Sequence, residues 1–389
     1  MTDLLTLLPH QPALAALQAA ASQGRLPRFL VFAGPQGTGR RTAALALAKW
    51  LLCAEGPAPI SFCGQCRACR LIDNDLHPDL IRLRPPLFTR RDHPWLTWVS
   101  HGKVEKAPRH SLQVSIVQAR NMRAHSANPP AEGPCKVYLI EGADAMQLEA
   151  NDTLLKTLEE PPSYAYFCLL ADSPAALRPT VLSRALLIRL QPLPNSLLAE
   201  IVTEHYPAAA EQAARIASYA GGSPGLALQL AGDRSLLALA DEACEMLRRA
   251  LGGDRLAALR DASRLRALAT QWFVLRYQPP TAEDAPEEQD EHNEEPEPAP
   301  SGAAKVPAAA TRLGAVQIVD LLGSVVRNAL RSGDAAGTMS LPSVRGTAVT
   351  LNILSESRAA LEANANLASC LSGMMLAIAE AAGREAIAK

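Results

Sequence analysis

Aromatic residues are scarce in this chain, at 4% of its 389 positions. A core built on large rings is excluded, and small aliphatic side chains must do most of the packing. Charged residues are also few, 20% against 48% hydrophobic, which excludes a fully solvated chain. No apolar run approaches the thickness of a bilayer, and the opening MTDLLTLLPHQ has no basic stretch followed by an apolar one. Neither a membrane span nor a secretory leader is expected. The sharpest absence is local: between 281 and 300 there is no Lys or Arg. Nine acidic residues fall there (Glu283, Asp284, Glu287, Glu288, Asp290, Glu291, Glu294, Glu295 and Glu297).

The formal net charge of −1 therefore averages unlike parts. Without that stretch, 38 basic residues stand against 30 acidic ones, and a moderately basic body is compatible with a polyanionic partner. The Pro/Glu-rich insert at about 279–307 lacks the apolar residues that would offset ordering entropy, so it is expected to be disordered. Elsewhere Ala and Leu dominate, which favours helix.

Apolar strand-like runs at 29–32, 137–140, 166–170 and 186–190 alternate with helical stretches. That pattern predicts a parallel α/β sheet over residues 1–191. A helix is expected over 145–159, capped by Asp144 with Gln147 and stopped at Pro161-Pro162. Short helices at 196–205 and 208–219, closing on Gly221-Gly-Ser-Pro-Gly225, suggest a small helical domain at 192–235. Residues 236–389 are helical in composition, with one helix expected from about Gly314 to the end.

Gly34-Pro-Gln-Gly37-Thr-Gly39-Arg40-Arg41 has the frame of a phosphate-binding loop without its last two residues. In the intact motif glycines let backbone N–H groups wrap phosphate, a Lys reaches the terminal phosphates, and a Ser or Thr hydroxyl holds Mg²⁺. Arg40 keeps the charge as a bulkier fork, whereas Arg41 cannot ligate a cation. The acidic pair expected at the end of a neighbouring strand is Glu141-Gly142, and a glycine cannot polarise water. Both departures point to a phosphate loop that has lost hydrolysis, with nucleotide binding left open.

Cys53, Cys63, Cys66 and Cys69 offer four thiolates within 17 residues, enough for a closed tetrahedral zinc site of structural type; an iron–sulfur cluster is the minor alternative. Ser183-Arg184 by itself is an ordinary surface pair. His77-Pro78-Asp79 is best taken as a turn. The stretch from Pro85 to His110, with Trp95, Trp98 and several basic residues, has no evident role.

As a set, several segments resemble the bacterial clamp-loader AAA+ family. They are Gly24-Arg-Leu-Pro27, the four-cysteine insertion, His77-Pro-Asp-Leu80, Lys136-Val-Tyr-Leu-Ile-Glu141, Leu154-Leu-Lys-Thr-Leu-Glu-Glu-Pro-Pro162, Ser183-Arg184 and Gly222-Ser-Pro-Gly225. The resemblance covers roughly residues 1–235. Its eroded motifs resemble the delta-prime branch of the DNA polymerase III clamp loader.

The resemblance implies an AAA+ parallel α/β domain with a zinc module at 53–69, a helical lid domain and an all-α collar. It further implies a non-hydrolysing subunit in a ring with gamma/tau motor subunits and a delta subunit, handling a sliding clamp and primed DNA in the bacterial cytoplasm, without a membrane. On the same ground Ser183 and Arg184 would supply an arginine finger to a neighbour's ATP, although Ala185 stands where the family usually has Cys. An ATP-hydrolysing motor subunit and a stand-alone zinc-containing nucleic-acid-binding protein are the competing expectations.

Overall fold

A computed structural model describes residues 12–55, 62–89, 93–100, 103–108, 111–159, 161–277, 306–332 and 343–388. The acidic insert lies almost wholly outside these residues. Two compact units emerge, one formed by Met1–Leu193 with Ser223–Gly225, the other by Pro194–Gly222 with Leu226–Lys389.

The first unit is built on a five-stranded parallel sheet. Its strands are β1 (Phe29–Ala33), β2 (Leu80–Leu83), β5 (Lys136–Glu141), β6 (Ala165–Ala171) and β7 (Leu186–Arg189), in the order β2-β5-β6-β1-β7. β1 is buried along its whole length, between β6 (Phe29 opposite Phe167) and β7 (Leu30 opposite Leu186). That is why it is a continuous apolar run rather than an alternating one. Successive β1 residues feed opposite cores. Leu30 and Phe32 pack with α1 (Pro12–Ser22) and α2 (Arg40–Leu52), while Phe29 and Val31 pack on the other side with α4 (Ile116–Ser126) and α5 (Leu148–Glu159).

Three features differ from the sequence expectation. β2 was not anticipated: it has only four residues and Arg82 interrupts its apolar character. Within the unexplained 85–110 stretch, β3 (Thr97–Ser100) and β4 (Lys103–Lys106) form a separate antiparallel hairpin, whose exposed residues give little hydrophobic signal. The expected capping pair of α5 is engaged elsewhere. Gln147 accepts the Ile116 N–H at 3.1 Å, at the start of α4, and Asp144 accepts the Asp172 N–H at 3.3 Å. The helix begins at Leu148, three residues later than expected.

The second unit is all helical. It comprises α7 (Asn195–His205), α8 (Ala210–Ala220), most of α9 (Pro224–Gly232), α10 (Arg234–Leu251), α11 (Arg255–Tyr277), α12 (Ala308–Ser332), α13 (Val344–Glu362) and α14 (Leu367–Ala388). α11 packs against both α12 and α14, with buried Trp272 donating its indole N–H to Gln317 at 3.1 Å. The continuous C-terminal helix expected from the sequence is broken by a turn at 363–366, where Asn364 takes φ +65°. Residues 308–331 of α12 are apolar and long enough to cross a bilayer by composition, a run the sequence reading did not count. Of its most apolar 18-residue window 78% is buried in the protein, which is how the core helix of a bundle behaves.

Candidate functional site

The glycine-rich loop joins β1 to α2. A Cβ on Gly34 would lie 2.2 Å from the Leu190 carbonyl oxygen, so only glycine fits. Thr38 is buried and its hydroxyl closes the loop by donating to the Pro35 carbonyl at 2.8 Å. Gly37 and Gly39 take φ +78° and +96°, and α2 starts at Arg40 without a side-chain cap. The loop thus sets glycines with positive φ at a helix N-terminus, the kind of place where backbone N–H groups can face an anion. Residues 223–225 belong to the same unit, and the Gly225 N–H donates to the Gly37 carbonyl at 3.3 Å.

The charged residues around this cradle are committed to one another. Arg40, in the position of the phosphate-reaching lysine, is ion-paired with Asp172 at 2.5 Å, and its side chain is 12% exposed. Glu141 at the end of β5 is held by Arg82 at 2.6 Å, Arg84 at 3.3 Å and Arg41 at 3.8 Å. Arg82 and Arg84 also bind Asp75, at 2.8 and 2.9 Å. Burial alone would push the Glu141 carboxyl up, but Arg41, Arg82 and Arg84 overcome this and hold it below the usual carboxylate range. Asp144 goes the other way, raised by burial and by its neighbour Asp172.

Four guanidiniums are therefore ion-paired with three carboxylates, Asp75, Glu141 and Asp172, which leaves little positive field for a triphosphate. Two arginines in the first turn of a helix are unfavourable against its dipole, and Asp172 and Glu141 offset them. Gly142 takes φ +70°, in the left-handed region that favours glycine, and offers no carboxylate at the second acidic position. Gly34, Gly37, Gly39, Arg40, Arg41 and Glu141, which the sequence motifs mark, are gathered by the structure, whereas Asp75, Arg82, Arg84 and Asp172 join them outside any motif. The available signals were two arginines at i and i+2 flanking the end of a short strand, and an aspartate directly after β6.

The four cysteines also converge. Their sulfurs all lie within 4.8 Å of one another, with Cys53–Cys63 at 3.7 Å and Cys53–Cys66 at 3.8 Å. A tetrahedral centre with bonds of about 2.3 Å has sulfur–sulfur edges of about 3.8 Å, so the set fits a tetrahedral metal ion. Backbone N–H groups of Gln65 and Cys66 point at the Cys63 sulfur, at 3.5 and 3.2 Å. Burial opposes ionisation of Cys66, yet the backbone donors of Cys69 and Ala54 bring its thiol down to about 6. The module is tied to the sheet unit by Lys49, whose ammonium lies 2.6 Å from Asp73 and over the Phe62 ring. α3 (Arg67–Asp73) follows directly from Cys66, its N-cap.

Ser183 and Arg184 follow the one-turn helix α6 (Pro179–Leu182) and are exposed. Both donate to the Thr180 carbonyl, at 3.2 and 3.0 Å.

The expected turn at His77-Pro78-Asp79 is present. Asp79 is fully buried, and its carboxylate accepts the N–H groups of Ala131, Glu132 and Gly133 at 2.6, 2.8 and 2.7 Å. Burial works against its charge, but these three donors win and lower its pKa. Asp79→Ala should cost about 3 kcal/mol or more in urea unfolding, because three buried donors lose their acceptor. With a depressed folded pKa, this stabilisation is complete above the unfolded value of about 3.9 and is lost as pH falls through the folded one. Asp79→Asn should therefore flatten the acid limb of the stability profile.

A glycine-rich strand-to-helix loop after an inner strand of a parallel sheet, beside an acidic strand end, makes the first unit an α/β domain with the frame of a phosphate-binding loop. Residues 10–194 match the family described as DNA polymerase III, delta subunit. The delta-prime subunit of Pseudomonas aeruginosa is 32% identical over 51% of this chain and 54% of its own length. The Bacillus subtilis delta-prime subunit is 30% identical over 46% of each. The tau subunit of Salmonella typhimurium is 33% identical over 46% of this chain and 24% of its own. Over this region the chain is similar to delta-prime subunits of DNA polymerase III. It spans about half the length of the delta-prime relatives it matches.

Proposed function

We propose that this chain is a non-hydrolysing, delta-prime-type subunit of a bacterial clamp loader. It takes its place in a ring with gamma/tau motor subunits and a delta subunit, helps place a sliding clamp on primed DNA, and supplies Arg184 to a neighbour's ATP. Its four-cysteine module holds structural zinc through Cys53, Cys63, Cys66 and Cys69. Residues 192–235 serve as the lid and 236–389 as the collar.

One observation carries the non-hydrolysing part: every charged side chain that a phosphate loop would direct at nucleotide and metal is already ion-paired within the fold. Arg40 would have to leave Asp172 to meet a γ-phosphate, and Glu141 would have to leave three guanidiniums to meet Mg²⁺. Without a side chain at Gly142, nothing there orients the attacking water. The similarity to tau subunits favours the competing motor reading, and a direct assay separates the two. The purified chain should hydrolyse ATP no faster than a buffer control. Turnover above background that Arg40→Ala abolishes would overturn the assignment.

A further inference from the structure

The hairpin of β3 and β4 is not used by the function proposed above. Trp98 stands opposite Glu105, and Ser100 opposite Lys103. Strand alternation puts these four residues on one face, with Val99 and Val104 on the other, 63% and 59% exposed. The first face turns toward α4, where Arg120, Arg123, Ala124 and Ala127 share one side of the helix. Between them, with Thr153, lies an open cleft of about 770 Å³.

Its geometry is fixed from several directions. Asn121 donates to the carbonyls of Trp95 and Thr97 at 3.2 and 3.0 Å, and the Ala107 N–H donates to the Leu96 carbonyl at 2.8 Å. Trp98 packs on a small core of Leu96, Ala107 and Val117, yet also lines the cleft. An ion pair turns Glu105 onto Arg120. Lys103 and Arg123, by contrast, have no acidic partner among the described residues, and both are exposed. The cleft thus combines a held indole, a low alanine floor and two uncommitted cations. That is the chemistry of a single-stranded nucleic acid groove, where an aromatic ring stacks an unpaired base and cations follow the phosphodiester.

We propose that the β3–β4 hairpin and α4 form a binding cleft for single-stranded DNA. Trp98 stacks a base, and Lys103 and Arg123 contact the backbone. The inference rests on the reading that this chain works beside primed DNA, and names where it touches the unpaired strand.

Anisotropy of a labelled oligothymidylate titrated with the full chain at low salt tests it, with a duplex of equal length for comparison. Lys103→Glu with Arg123→Glu, two exposed changes that leave the core intact, should weaken oligothymidylate binding about tenfold or more. The log–log salt dependence should become shallower by about 0.7 for each phosphate no longer neutralised. Trp98→Ala should weaken the single strand and leave the duplex unchanged. Unaltered binding in the double charge variant, or equal loss for single strand and duplex in Trp98→Ala, would overturn the cleft. Capture of a gamma/tau subunit is measured on the same variants. Retained capture with lost DNA binding supports the cleft, whereas a wild-type chain that binds DNA through these residues but captures no motor subunit overturns the ring reading alone.

Discussion

With Arg184 as the proposed finger, its replacement by alanine should slow ATP hydrolysis by about 10³-fold at the neighbouring motor site of an assembled complex. A guanidinium placed at a γ-phosphate stabilises charge that develops on the transferring oxygens. The geometry here suits donation to a neighbour. Arg184 is exposed at the end of a proline-initiated helical turn, and its bond to the Thr180 carbonyl is a solvent-exposed one, worth about 1 kcal/mol or less, that docking can exchange. Single-turnover measurement with wild-type motor subunits isolates the affected site. Arg184→Lys should recover only part of the rate, because an ammonium keeps the charge but loses the planar fork. Neither variant should change the melting temperature of the isolated chain. Unchanged ATP turnover in the Arg184→Ala complex would remove the finger from the proposed function.

Much of this architecture was legible in the sequence, and the reasons are specific. The strand at β1 was recoverable because burial on both faces demands an unbroken apolar run, and the glycines after it mark a turn that side chains would obstruct. β2 and the hairpin were not recoverable from periodicity. One carries an arginine whose alkyl stem is buried while its head pairs with Glu141, and the other exposes residues on both faces. The erosion of the phosphate loop was visible as Arg41 and Gly142. Its electrostatic consequence was not, because Asp172, Asp75 and Arg82 come together from segments far apart in sequence. Composition also hid the nature of α12, whose apolar stretch has bilayer length but serves a helical core.

The second large effect concerns the cysteine cluster. Stripping metal with a chelator, or Cys63→Ser, should dissolve α3 and fray the end of α2 while the parallel sheet persists. Cys53 caps α2 and Cys66 caps α3, so one ion would staple the two helix ends. α3 has seven residues, too few to persist in water without that staple. The sheet instead rests on two separate apolar layers, which do not depend on the ion. With free metal a thousandfold above its dissociation constant, binding adds about 4 kcal/mol of stability. For a unit of this size that amounts to about 10 °C in melting temperature. Elemental analysis of the native chain should give one zinc per molecule, and chelation should make four more thiols titratable. The other buried thiols provide the contrast. Burial pushes Cys135 up to about 11 and Cys168 and Cys244 to about 12, so they should stay unreactive at neutral pH whether or not metal is present. A chain that purifies without metal, or whose melting point ignores the chelator, would leave the four sulfurs as a cluster of thiols and remove zinc from the proposal.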